Sequence, residues 1–164
     1  MIRAFCVWLA ATPLSVMIGS TRWVVPMVQT LHILAIAVVL SSVLMLELRV
    51  LELAGRSQSV MQAARRFLPW LLGGLAVLAM TGALLIVSEP QRSLVNSAFW
   101  TKMCLLALAV TATLGLQRAQ WRIVASQEQL WPAGVAARAI AVLTFLLWVA
   151  IVVAGRWIAY VEHR

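Results

Sequence analysis

Residues 23–46 read WVVPMVQTLHILAIAVVLSSVLML, twenty-four residues without a single fixed charge. A run of this length crosses a hydrocarbon core about 30 Å thick as one helix, since roughly 20 helical residues suffice. Comparable uncharged runs occupy residues 4–21, 67–88, 103–117 and 139–155, divided by small groups of arginine. With 63% hydrophobic and 11% charged residues, the chain is an integral membrane protein. Open backbone cannot be satisfied in lipid, and no alternating strand pattern occurs, so the spans are helical. The expected fold is all-α: one membrane domain over residues 1–164, an up-and-down four-helix bundle with spans near 24–48, 67–88, 98–120 and 137–159. Residues 4–19 form an N-terminal helix lying in the interface, the alternative being a fifth span.

Tryptophans support these boundaries. Trp23, Trp70, Trp100, Trp121, Trp131 and Trp157 each fall at or near a span end, as in an aromatic belt. Six arginines (Arg56, Arg65, Arg66, Arg118, Arg122 and Arg138) lie in the connections at one face, against four (Arg3, Arg22, Arg92 and Arg164) at the other. The positive-inside rule then puts both termini on the periplasmic side of a bacterial inner membrane. The net charge of +8 is spread beside hydrophobic runs, so its partners are lipid headgroups and not nucleic acid. Cys6 and Cys104 have no CxxC spacing and suggest neither zinc nor a disulfide.

Up-and-down threading sorts polar residues by depth. His32, Thr81, Glu89, Lys102, Arg156 and Tyr160 belong to one side of the membrane, and Glu47, Arg49 and Glu52 to the other. Helical phase puts Lys102 on a stripe with Leu106, Ala109, Thr113 and Leu116, and Thr81 beside Gly74, Leu78 and Gly82. Gln29 precedes His32 by one turn. Glu47 and Arg49 read as members of an ion-pair network at the membrane boundary.

Ionisable groups within a span are costly and point to function. His32 has two readings: a hydrogen-bonded neutral side chain, or a ligand. As a ligand it suits haem b, though one intramembrane histidine excludes a bis-histidine haem within one protomer. It also suits a quinone, with Thr81 and Tyr160 as further hydrogen-bonding groups. Lys102 and Arg156 either snorkel to the interface or face an anionic group. A copper site would combine His32 with Met27, Met80, Met103 or Cys104. The chain lacks a phosphate loop, a nucleophile elbow and paired carboxylates, so no soluble-type enzyme is indicated. Three functions follow: a redox or cofactor-binding subunit, a copper-handling protein, or a structural partner of another membrane protein. The protein partners considered are a second copy and another membrane or periplasmic redox protein.

Several segments together resemble a family. TPLSVMIGSTRWVVPMVQTLHILAIA, LELRVLEL, FLPWLLGGLAVLAMTGALL, NSAFWTKMCLLALA and LLWVAIVVAGRWIAY are similar to an uncharacterised family of small bacterial membrane proteins, a domain of unknown function (DUF6644). The resemblance matches its histidine to His32, its acidic-x-Arg step to Glu47 and Arg49, and its Thr-Gly to Thr81 and Gly82. Its Asn-x-x-Phe-x-x-Lys falls on Asn96, Phe99 and Lys102, and its Gly-Arg-Trp on Gly155, Arg156 and Trp157. Glu47 stands where that pattern often has aspartate. A weaker similarity of layout to the copper-resistance D domain and to membrane protoporphyrinogen oxidases implies copper and haem as candidates.

Overall fold

The structure, a computed structural model, describes residues 2–55, 59–125 and 135–161, with only the backbone path at 98, 120–125 and 156–161. The described residues form seven helices: α1 (Ile2–Ala10), α2 (Pro13–Ser20), α3 (Val24–Val50), α4 (Val60–Ser88), α5 (Pro90–Leu94), α6 (Ser97–Ala125) and α7 (Val135–Val161). Four of these, α3, α4, α6 and α7, are long and apolar enough to cross a membrane, so the protein is multi-pass. They pack as two intimate pairs, α3 with α4 and α6 with α7, which join chiefly through α3 and α7.

Helical phase explains why α3 is central. Ala35, Val39, Ser42, Val43, Leu46, Glu47 and Val50 are its buried residues, and they recur at the three- and four-residue spacing of one continuous stripe. Val39, Val43 and Leu46 share the core with Leu71 of α4, Ala109 of α6, and Trp148 and Ile151 of α7. Small residues let α4 approach closely. A Cβ on Gly74 would fall 2.7 Å from Val39 Cγ2 and 3.6 Å from the Ala35 carbonyl oxygen.

Both ends of α4 follow local chemistry. Ser59 and Gln62 form a reciprocal capping box at its start. The helix therefore begins seven residues before the hydropathic span at residue 67, carrying Arg65 and Arg66 on its exposed first turns. Pro69 deprives the Arg65 carbonyl of its helical donor, and it does so at the same exposed end. At the other end the chain turns through Glu89 into the short α5, whose Pro90 occupies the N-terminal position that tolerates proline.

The single interfacial helix expected over residues 4–19 is instead two helices, bent by 64°. Thr12 caps α2 by accepting from the Ser15 N–H, and Pro13 follows at the first helical position. The two helices dock on the end of α4 and on α5: Ser15 Oγ donates to the Val87 carbonyl at 2.8 Å, and the buried Cys6 Sγ lies 3.6 Å from the Pro90 carbonyl. Both cysteines are free.

Trp23, Trp70 and Trp100 are exposed; Trp23 and Trp100 lie at the starts of α3 and α6, whereas Trp70 lies ten residues into α4, near the start of its apolar run. Trp121 and Trp157 lie outside the described side chains and Trp131 outside the described residues.

The Gly74 contact predicts a contrast with its neighbour. Gly74→Ala should lower stability by about 1–3 kcal/mol through overpacking against Val39. Gly73→Ala, with nothing within 4 Å of the new methyl, should be neutral or slightly stabilising. Thermal unfolding of both variants in detergent, followed by tryptophan fluorescence, checks the pair.

Candidate functional site

One turn of α4 anchors the site. Thr81, 3% exposed, has its Oγ1 2.7 Å from the Val77 carbonyl oxygen and 2.7 Å from His32 Nδ1 on α3. A hydroxyl has one proton and a carbonyl only accepts, so the Thr81 proton goes to Val77. The proton shared with His32 must then belong to the imidazole: Nδ1–H donates and Thr81 Oγ1 accepts. A neutral His32 so protonated carries its lone pair on Nε2. The same second-sphere arrangement orients metal-ligating histidines.

The ring packs against α4 at Gly82. A Cβ on Gly82 would lie 3.7 Å from His32 Cε1, so the imidazole edge rests over the next residue of α4. The ring is half-buried and belongs to both the packed interior and the mouth of the bundle.

Lys102 enters from the other helix pair. Its side chain is half-buried and lies against α7, where a Cβ on Gly155 would meet Nζ at 3.4 Å and Cε at 3.6 Å. Of the two expected orientations, snorkelling or facing inward, the observed one crosses onto the neighbouring helix. The structure brings His32 and Thr81 together and sets Lys102 against Gly155 of α7; Lys102 belongs to the His32 side of the membrane by its depth in α6. The stripe on α6 is also buried as expected, with Lys102 and Leu106 partly covered and Ala109, Thr113 and Leu116 fully so.

Other candidates are placed differently. Gln29 is exposed despite lying one turn from His32. Met27 and Met80 are 61% and 66% exposed, Cys104 is exposed and Met103 half-buried. Among the described residues no cluster of three histidine, cysteine or acidic side chains suits a metal ion. The α7 backbone carries Arg156 and Tyr160, whose side chains lie outside those described. Glu89 pairs with Arg92 at 3.0 Å on the exposed turn.

The opposite end departs from the ion-pair expectation. Glu52 bonds Arg138 of α7 at 3.0 Å, but neither oxygen of the buried Glu47 has a hydrogen-bond partner among the described residues. Gln117, also buried, was not singled out by sequence reasoning; its position directly before Arg118 disguises it as an interfacial residue.

The match to a family of unknown function (DUF6644) covers residues 5–161, and the chain belongs to that family. No curated protein and no solved structure matches it.

The hydrogen-bond order predicts how Thr81 tolerates change. Thr81→Val keeps the shape but strands the His32 donor, and should cost about 1–3 kcal/mol. Thr81→Ser keeps the hydroxyl and should recover most of that loss. Denaturant or thermal unfolding of the two variants measures the difference.

Proposed function

We propose that this DUF6644 chain is a membrane redox subunit whose cofactor, a b-type haem or a quinol, is held through His32 Nε2. The supporting observation is the Val77–Thr81–His32 hydrogen-bond relay, which assigns the imidazole proton to Nδ1 and leaves Nε2 as a lone-pair donor. A haem iron takes such a lone pair directly, and a quinol hydroxyl donates a proton to it. Lys102 supplies the complementary positive charge for a propionate or for the oxygen of a deprotonating quinol. Thr81 holds the ring plane in both cases.

The two chemistries share a requirement for a fixed imidazole beside a cation. Haem, when bound, supplies one-electron chemistry. A quinol instead needs His32 as proton acceptor, with Thr81 stabilising the ring as it becomes charged. With both termini periplasmic, as the arginine distribution favours, the site opens toward the periplasm of a bacterial inner membrane. Since one intramembrane histidine serves each chain, a second histidine for haem would come from a second copy. The electron partner would then be another membrane or periplasmic redox protein.

Spectra and extracts of the purified protein test this reading. Protein expressed with haem supply should show a Soret band that shifts on dithionite reduction, or should yield a co-purifying quinone on solvent extraction. His32→Ala should lose whichever is present. A wild-type protein with neither, and a His32→Ala variant that differs only in stability, would overturn the reading in favour of a structural helix-to-helix bond.

A further inference from the structure

The end of the bundle remote from His32 holds a second polar cluster. Glu47 lies fifteen residues beyond His32 on α3, and Gln117 fifteen beyond Lys102 on α6. At about 1.5 Å per residue, each is roughly 22 Å from the first layer. The register of α3 against α7 is set by the Glu52–Arg138 bond and by Val50, which shares a cluster with Ala141 of α7 and Leu116 of α6. Three residues back along α3 and three onward along the antiparallel α7, Glu47 stands level with Thr144. On α6, Gln117 follows Leu116, and Thr113 lies one turn further inside.

All four polar side chains are almost completely enclosed: Glu47 is 2% exposed, Gln117 4%, and Thr113 and Thr144 1% each. The unmet needs of Glu47 and Gln117 are those of acceptors. Among the described residues, both carboxylate oxygens of Glu47 and the Oε1 of Gln117 lack a hydrogen-bond partner. Thr144 spends its proton on the Ile140 carbonyl at 2.8 Å, leaving its oxygen as an acceptor. Thr113 accepts from the Trp148 indole at 3.1 Å. Buried acceptors without donors are costly, and a buried unpaired carboxylate more so.

The nearest fixed charges do not answer that need. Arg138 of α7 is committed to Glu52, with its buried Nε unpartnered. Arg118 of α6 and Arg65 and Arg66 of α4 are exposed, and Arg49 on α3 itself is half-buried. An anion is excluded by the carboxylate, and a large cation by the enclosure. What fits is one small positive charge held by oxygen.

We propose that Glu47, Gln117 and Thr144 form a buried site for a single monovalent cation, a sodium ion that competes with a proton for the Glu47 carboxylate. The site lies in the half of the bundle opposite His32 and is independent of any cofactor there. Ionisable residues inside spans mark ion and proton sites, and oxygen-only donor sets suit hard cations.

Unfolding of the full chain in detergent tests the proposal, with sodium chloride replaced stepwise by choline chloride at constant total salt. A ligand that binds only the folded protein raises its midpoint. Sodium should therefore raise the wild-type midpoint by about several degrees relative to choline. Half the effect should need more sodium at mildly acidic than at mildly alkaline pH. Glu47→Gln should abolish the response, and Thr144→Val should raise the half-effect concentration about tenfold, the loss of one oxygen donor. Equal wild-type midpoints in sodium and choline at both pH values would overturn the proposal, as would a wild-type response in Glu47→Gln. Should Glu47→Gln fail to fold, an unchanged half-effect concentration in Thr144→Val would overturn it equally.

Discussion

A hydroxyl group has one proton, and Thr81 has two neighbours at 2.7 Å. Because the carbonyl of Val77 cannot donate, the direction of every hydrogen bond in the His32 layer follows from that count. The bond to His32 ties α3 to α4, fixes the ring and decides which nitrogen meets a ligand. It persists because lipid offers no competing water and a stranded polar group there costs more than the bond itself contributes. Close approach of the two helices at Gly74 and Ala35 brings the partners within reach.

Around this pair the bundle divides its polar groups between two ends and keeps its middle apolar. Val39, Val43, Leu71, Ala109 and Trp148 fill the space between the layers. One layer presents a nitrogen lone pair and an ammonium near a mouth. The other encloses acceptors without donors. Their opposite electrical character, about 22 Å apart, is the feature that distinguishes this protein from a bundle held together by packing alone. Ser42, the polar side chain between them on α3, is satisfied locally by the Val38 carbonyl.

Hydropathy made the four spans legible, because a bilayer imposes length and polarity on each one directly. It could not reveal the early start of α4, since helix continues past the bilayer wherever a capping box such as that of Ser59 and Gln62 supports it. Pro13 marks a break in the first apolar run, yet whether the chain beyond it continues or folds back is set by docking on α4 and α5. His32, Thr81 and Lys102 were legible as belonging to one side of the membrane because threading fixes depth. Met27 and Met80 share that depth but face outward; thioethers are at ease in lipid, so composition carried no sign of their side. Glu47 misled for a related reason. Beside Arg49 it reads as half of a surface pair, whereas its phase follows Val39, Val43 and Val50 into the core.

The tautomer of His32 decides which nitrogen meets a ligand, and nitrogen-15 spectroscopy of the histidine-labelled protein reads it out, with a His32→Ala sample separating it from His163. A neutral imidazole protonated on Nδ1 with a bare Nε2, shifting when Thr81 is replaced by valine, is the predicted result. A neutral ring protonated on Nε2, indifferent to that replacement, would contradict the relay and the ligand chemistry built on it.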